Sequence, residues 1–120
     1  MLFRSARAYA LTGDWRRAVS GYQDALALFP DDYATQFNLA RALQASGDLQ
    51  GAIAGYERAI ALAPGQADFH LSHGRALEAA KRVPDAIAAY SRFLELAPNA
   101  PEADKVRAYR DQLKAQGPRP

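Results

Sequence analysis

Three segments of the chain repeat the same pattern at a constant interval of 34 residues. Each segment ends at a proline, and the three prolines keep that interval: Pro30, Pro64 and Pro98. Alanine, tyrosine and leucine positions keep the same register without a gap: Ala18, Ala52 and Ala86; Tyr22, Tyr56 and Tyr90; Leu28, Leu62 and Leu96. A fixed period of this length indicates stacked structural repeats, so it restricts the fold more than any other feature of the sequence.

Each repeat is predicted to form two helices joined by a short turn. In the second helix, small or apolar side chains recur at helical spacing, as at Ala52, Tyr56 and Ala59, which is typical of an amphipathic helix. Gly47 and Asp48 lie between the two predicted helices. They indicate a turn there, because glycine accepts the left-handed conformation that ends a helix and aspartate caps the next one. The pattern predicts seven helices, at about residues 6–12, 15–28, 34–46, 49–62, 68–80, 83–96 and 102–115.

Composition agrees with a globular chain and excludes several classes of site. Of the 120 residues, 49% are hydrophobic and 23% are charged, a balance typical of globular domains. The chain has no cysteine, which excludes disulfides, thiolate metal sites and thiol catalysis. No apolar run approaches the roughly 20 residues that span a bilayer, so no membrane partner is expected. We expect a cytoplasmic location, with the periplasm as the alternative.

The charge of the chain does not indicate a nucleic-acid partner. The net charge is +2, and all of that excess lies from Glu102 onward, where basic residues outnumber acidic ones. A slightly basic end is not the clustered basic face that nucleic-acid binding needs. We therefore expect a partner other than nucleic acid.

The period and the residues at its fixed positions resemble the tetratricopeptide repeat, a helix-turn-helix unit of 34 residues. The middle unit fits the family pattern best, through Leu39, Ala40, Gly47, Ala52, Tyr56, Ala59 and Pro64. The resemblance implies an all-α solenoid of about seven antiparallel helices, wound as a right-handed superhelix. Its concave face would be lined by the first helix of each repeat. The alanine- and arginine-rich repeats are similar to those of bacterial members.

The resemblance divides the chain into three repeats and a capping helix. The repeats are expected at residues 6–32, 33–66 and 67–100, with the first one truncated at its N-terminal end. Residues 101–116 are expected to form the capping helix, and residues 117–120 a disordered tail. Residues 1–5 match the translated end of a sequencing adapter. We interpret them as non-native and the chain as a fragment of a longer protein; a short native start is the alternative.

The third unit departs from the pattern at its turn. Lys81 and Arg82 stand where the other units have glycine and aspartate. A non-glycine residue in a left-handed turn costs roughly 1 kcal/mol, and a good N-cap is lost. Phe93 also replaces the small Ala25 or Ala59 of the other units. We therefore expect the array to end here and the last helix to cover it.

Three arginines recur at the 34-residue period on the first helix of each unit: Arg7, Arg41 and Arg75. In the tetratricopeptide family this register faces the concave groove, so the resemblance implies guanidiniums along one wall. Arginine suits bidentate recognition of carboxylates, which predicts a groove for an acidic peptide segment. The alternative is that these arginines only solvate the surface, or pair within the chain with Asp68, Glu78 or Gln44.

Three further residues complete the candidate peptide site. Asn38 matches one position of the clamp with which one subfamily holds the terminal carboxylate of chaperone peptides. The residues at the other clamp positions do not match: Phe3, Arg7, Asp68 and Ser72. That mechanism is therefore not expected here, but Asn38 is expected to hydrogen-bond a ligand backbone. Phe37 and Leu71 are expected to supply apolar contact near it.

No set of residues predicts catalysis, a cofactor or a metal. His70 and His73 share a helix face, but a zinc site needs three or four ligands. The sequence has no phosphate-binding glycine loop and no serine, histidine and acid set with a common site. The three periodic tyrosines are interpreted as core residues.

The sequence therefore predicts a non-catalytic monomer that binds a protein or peptide segment in the concave groove, with an acidic segment as one candidate ligand. Two alternatives stay open. The chain is a docking or regulatory region of a larger bacterial enzyme, such as a glycosyltransferase or sulfotransferase, or it is a structural scaffold that associates with itself.

Overall fold

The structure is a computed structural model that describes residues 6–117. Within this range it has seven α-helices and no strand: α1 (Ala6–Leu11), α2 (Trp15–Leu28), α3 (Tyr33–Ala45), α4 (Leu49–Leu62), α5 (Ala67–Ala79), α6 (Val83–Leu96) and α7 (Ala103–Gln116). The prediction of an all-α fold is confirmed, and every predicted helix end lies within about one residue of the observed one. The interpretation of residues 1–5 and most of the predicted tail, residues 118–120, lie outside the described residues.

The chain divides into two compact units, residues 1–63 and residues 64–120. In the first unit α1 packs on α2, α2 on α3, and α3 on α4. In the second unit α5 packs on α6, and α6 on α7. Consecutive helices are therefore packing neighbours within each unit, as short connections require.

The turn inside a hairpin has the geometry that its glycine and aspartate predict. After α3, the N–H of Gly47 donates to the carbonyl of Gln44 at 3.1 Å, and the N–H of Asp48 donates to that of Leu43 at 2.8 Å. Gly47 has a φ of +98°, a left-handed conformation that glycine adopts without steric cost. The Asp48 carboxylate then accepts the N–H of Gly51 at 2.9 Å and caps α4.

The second unit keeps this turn with a residue that is strained in it. Lys81 has a φ of 64°, and its N–H donates to the carbonyl of Glu78 at 2.9 Å. Arg82 occupies the N-cap position of α6 and makes no side-chain cap bond. Its guanidinium instead pairs with Asp85 at 2.9 Å. The predicted strain and the predicted loss of the cap are both confirmed.

Small residues allow the two helices of a hairpin to approach closely. A Cβ atom on Gly55 would lie 2.9 Å from the Cβ of Ala40, and one on Gly74 would lie 2.7 Å from Cε1 of Tyr90. The three periodic tyrosines are buried, as predicted: Tyr22, Tyr56 and Tyr90. The hairpins are therefore built from close helix contacts around a tyrosine ring.

In the second unit, Glu78 links three helices through hydrogen bonds. Its carboxylate, on α5, accepts the hydroxyl of Tyr90 on α6 at 2.8 Å and the hydroxyl of Tyr109 on α7. The two tyrosine rings lie edge to face, with centroids 6.1 Å apart. Phe93, which replaces a small residue, is only 1% exposed. The last helix is thus held by polar as well as apolar contacts.

Candidate functional site

A groove of about 510 Å³ in the first unit brings two of the three predicted arginines together. Arg7 comes from α1, Tyr22 from α2, and Asn38 and Arg41 from α3. Apolar side chains complete its lining: Ala10, Leu11, Trp15, Ala42 and Ala45. We call this surface the basic groove.

Arg41 faces the basic groove because of its position on α3. Ala40 and Ala42, on either side of it, are buried, whereas Arg41 is exposed. One turn earlier lies Phe37, and the Arg41 guanidinium carbon is 5.8 Å from the centroid of its ring. Such a cation–π contact contributes about 0.5–1 kcal/mol at an exposed site. This contact favours an orientation of the guanidinium over the Phe37 ring.

The two arginines of the basic groove lack an internal counter-ion among residues 6–117. Most ion pairs of this part of the chain join an arginine to an acid three residues away, as in Arg17–Asp14 and Arg92–Glu95. No such pair involves Arg7 or Arg41, and no acidic residue is in the described lining of the groove. Of the side chains that could pair with the periodic arginines, Gln44 accepts the hydroxyl of Tyr56, and Glu78 accepts those of Tyr90 and Tyr109.

Tyr22 lines the basic groove together with the two positive charges. Burial raises the pKa of the Tyr22 hydroxyl, and the charges of Arg41 and Arg7 partly oppose that rise. The hydroxyl consequently keeps its proton at neutral pH and is available as a hydrogen-bond donor. Sequence reasoning assigned Tyr22 to the core alone and missed its place in the groove.

The apolar end of the basic groove was also missed from sequence. Leu11 is 79% exposed although it is a large apolar residue at the end of α1, and Trp15 follows the N-cap Asp14 at the start of α2. A signal was present, since Trp15 is the only tryptophan of the chain and neither residue is repeated at the 34-residue period. These two side chains offer contact area next to the arginines.

A second depression, of about 530 Å³, shares Arg7, Tyr22 and Asn38 with the basic groove. Its wall includes Leu28 and Phe29 at the end of α2, which are 73% and 66% exposed. Asp24 also lines this depression, so the surface next to the basic groove carries one acidic side chain beside its apolar ones.

The other predicted site residues are placed differently. Asn38 is half-buried and lines the basic groove, as the peptide-site prediction requires. Phe37 packs on the ring of Tyr56, with centroids 5.6 Å apart, so part of its apolar surface is used inside the hairpin. Arg75 and Leu71 belong to the second unit. Arg75 is exposed, but Leu71 is 6% exposed and is a core residue that offers a ligand almost no surface.

Of the two histidines, His70 serves the packing of the second unit. His70 is buried, and its Nε2 atom lies 2.9 Å from the carbonyl oxygen of Pro64. Among the described residues, no three histidine, cysteine, aspartate or glutamate side chains are grouped so that they would hold a metal ion.

A family model described as tetratricopeptide repeat matches residues 3–67 and again residues 37–101. The two matches are offset by 34 residues, which is the period of the sequence. The chain belongs to the tetratricopeptide repeat family. The resemblance inferred from Gly47, Ala52, Tyr56 and Pro64 is thereby confirmed.

Solved structures of tetratricopeptide repeat proteins share the fold of this chain. The Yersinia enterocolitica type III secretion chaperone SycD, in complex with a peptide of the translocator YopD, has a TM-score of 0.86 and 20% identity, and the match covers 94% of this chain and 89% of SycD. The TPR2B domain of yeast Sti1, in a complex with an Hsp70 peptide, has a TM-score of 0.84 and 21% identity, with 96% and 94% covered.

A third structure, the first tetratricopeptide domain of Spaghetti (RPAP3) bound to an HSP90 peptide, has a TM-score of 0.85 and 24% identity, with 95% and 90% covered. The TM-scores of these three structures establish the shared fold. No curated protein sequence matches this chain. Within residues 6–117, the helices are too short or too polar to cross a bilayer.

Proposed function

We propose that this tetratricopeptide repeat chain is a non-catalytic binding module that holds an acidic peptide segment in the basic groove. The observation that carries the proposal is the presence of Arg7 and Arg41 in one groove whose described lining contains no acidic residue. Two guanidiniums without an internal counter-ion favour an anionic ligand, because its carboxylates form charge-assisted hydrogen bonds with them.

The shape and the polar groups of the basic groove suit a peptide better than a small molecule. The groove is open and joins a second depression through Arg7, Tyr22 and Asn38. The Asn38 amide has both donors and an acceptor for a peptide backbone. Because the groove is made by packed helices, little receptor ordering opposes binding. We expect micromolar affinity, about −8 kcal/mol.

The comparison structures support the same class of ligand. The Sti1 and Spaghetti domains are bound to chaperone-derived peptides, and SycD is bound to a peptide of its translocator. The same fold holds a peptide in all three, which supports a peptide or protein segment as the partner here. The acidic character of the ligand rests on the arginines of this chain alone.

The proposal is tested by fluorescence anisotropy with three labelled peptides. The first is rich in glutamate, the second has glutamine at the same positions, and the third has lysine there. Each is titrated with the wild-type chain, with Arg41→Gln and with the control Arg58→Gln. Arg58 is an exposed arginine of α4 that does not line the basic groove, so its replacement removes the same charge elsewhere.

We expect the glutamate peptide to bind most tightly and to weaken at high ionic strength. Arg41→Gln should weaken it about tenfold, because a hydrogen bond to a charged group contributes about 1.5–3 kcal/mol and exposure favours the lower value. Arg58→Gln should leave the affinity unchanged. Equal binding of all three peptides, or equal effects of the two substitutions, would contradict the proposal.

We further propose that the module acts as a monomer. Light scattering should then give a mass near 13.1 kDa that does not change with concentration. A mass that rises with concentration and falls when peptide is added would instead indicate that a second copy fills the groove.

A further inference from the structure

The buried tyrosines of successive hairpins differ in what their hydroxyls contact. The Tyr56 hydroxyl donates to Oε1 of Gln44 at 2.8 Å, and the Tyr90 hydroxyl donates to Oε1 of Glu78 at 2.8 Å. Gln44 and Glu78 occupy the same position of the 34-residue period, 12 residues before the tyrosine. In these two hairpins the first helix therefore supplies an acceptor for the tyrosine of the second helix.

The first hairpin has no such acceptor. Ala10 stands at the position of Gln44 and Glu78, and a methyl group accepts no hydrogen bond. Within the part of the chain that the structure describes, the Tyr22 hydroxyl has no hydrogen-bond partner, although its ring is buried. This residue lines the basic groove with Arg7 and Arg41.

The charges around Tyr22 indicate what kind of ligand group would accept a hydrogen bond from its hydroxyl. Arg7 and Arg41 are both close enough to act electrostatically on the hydroxyl. A neutral phenol is a donor, and so is every N–H of a guanidinium. A carboxylate has two oxygens with about four lone-pair sites and so can accept from all three groups at once.

We propose that the Tyr22 hydroxyl and the guanidiniums of Arg7 and Arg41 form a subsite for one carboxylate of an acidic peptide. This inference rests on the proposed function and extends it by assigning a third ligand-binding group. The second unit provides the internal precedent, because there the tyrosine of the same register binds the Glu78 carboxylate, which comes from the chain itself. In the first unit Ala10 leaves that place open to the groove, so that the carboxylate comes from the ligand.

The subsite is tested first by removing only the hydroxyl. Tyr22→Phe keeps the buried ring, so the hairpin should stay folded, which circular dichroism checks. Its affinity for the glutamate peptide should fall about tenfold, as for the loss of a hydrogen bond to a charged group. Where the bound carboxylate is that of a glutamate side chain, its affinity for the glutamine peptide should change little. The matched control is Tyr90→Phe, whose hydroxyl is bonded to Glu78 in the second unit and which should bind both peptides as the wild type does.

A second pair of variants places an acceptor from the chain itself in the subsite. Ala10→Glu places a carboxylate where Glu78 lies in the other unit, and we expect it to pair with Arg7 and Tyr22 and to abolish the preference for the glutamate peptide. Ala10→Gln supplies an acceptor without a charge, as Gln44 does for Tyr56, and should weaken the glutamate peptide by about as much as Tyr22→Phe.

The source of the carboxylate is resolved by a fourth peptide, which keeps its glutamates and has an amidated C-terminus. If Tyr22→Phe causes no loss of affinity for the amidated peptide, the subsite binds the carboxylate of the chain end. If it causes no loss of affinity for the glutamine peptide, the subsite binds a side-chain carboxylate. Both results support the subsite. Unchanged affinity in Tyr22→Phe and Ala10→Glu, together with a loss in Arg41→Gln, would overturn the subsite and leave the proposed function standing. Equal binding of all peptides to the wild type would overturn the proposed function itself.

Discussion

Replacing Lys81 with glycine should stabilise the protein. Lys81 has a φ of 64°, in the same turn where Gly13 and Gly47 have φ values of +83° and +98°. The left-handed conformation costs an L-residue roughly 1–2 kcal/mol. Glycine offsets part of that relief by roughly 0.5–1 kcal/mol, because its unfolded chain has more freedom. The net gain in the free energy of unfolding should be about 0.5–1 kcal/mol.

The gain is measured by thermal and urea unfolding, followed by circular dichroism. A change of 1 kcal/mol should raise Tm by about 3–6 °C for a chain of this length. The urea midpoint should rise with no change in the slope m, because the surface exposed on unfolding is the same.

The reverse substitution, Gly47→Lys, is the matched control. Gly47 is exposed, and nothing lies within 4 Å of the Cβ atom that the substitution would add, so only the backbone conformation is penalised. We expect it to lose about as much stability as Lys81→Gly gains. If Lys81→Gly leaves the stability unchanged or lowers it, while Gly47→Lys lowers it, the reasoning from backbone strain at Lys81 is refuted.

Three further perturbations test the packing and the tyrosine hydrogen bonds. Gly74→Ala should lower the free energy of unfolding by about 1–3 kcal/mol, because its new Cβ would lie 2.7 Å from the Tyr90 ring; urea unfolding measures this, with Gly65→Ala, which meets open space, as the control. Glu78→Gln removes one of two acceptors for tyrosine hydroxyls and should cost about 1 kcal/mol, with faster amide exchange in α7. Burial raises the pKa of Tyr56 to about 12 from 10.0, so the unfolded chain loses this proton first and stability should fall as the pH rises from 10 towards 12.

Each of these predictions has an outcome that contradicts it. Equal stability of Gly74→Ala and Gly65→Ala would show that the hairpin has room beside Tyr90. Unchanged exchange in α7 of Glu78→Gln would show that the hydroxyl bonds do not hold the last helix. A wild-type chain and a Tyr56→Phe variant that lose stability equally between pH 10 and 12 would show that the buried hydroxyl does not couple to folding.

The helices and their ends were predictable from the sequence because local chemistry specifies them. Gly13 and Gly47 end a helix through their backbone freedom, and Asp14, Asp32 and Asp48 cap the next one through a side-chain oxygen. These signals act over a few residues. The 34-residue period then repeats them, so that one well-defined turn indicates the position of the others.

The candidate site was predictable only in part, because it depends on contacts between helices. Arg7 and Arg41 share a register of the repeat, and both line the basic groove of the first unit. The burial of Leu71 depends on packing that its own helix pattern did not show, and part of Phe37 is covered by Tyr56. The second role of Tyr22 depends on what stands 12 residues before it, a comparison that is informative only once the Tyr56 and Tyr90 bonds are seen.

The central claim, that the basic groove of the first unit binds an acidic peptide, is tested most directly by NMR. Trp15 is the only tryptophan and lines the groove, so its indole N–H gives a single, easily assigned signal. On titration with the glutamate peptide, this signal and the amides of Asn38 and Arg41 should shift together with one dissociation constant, and the glutamine peptide should move them far less. Shifts confined to residues outside the basic groove, or shifts of the same size with both peptides, would contradict the account.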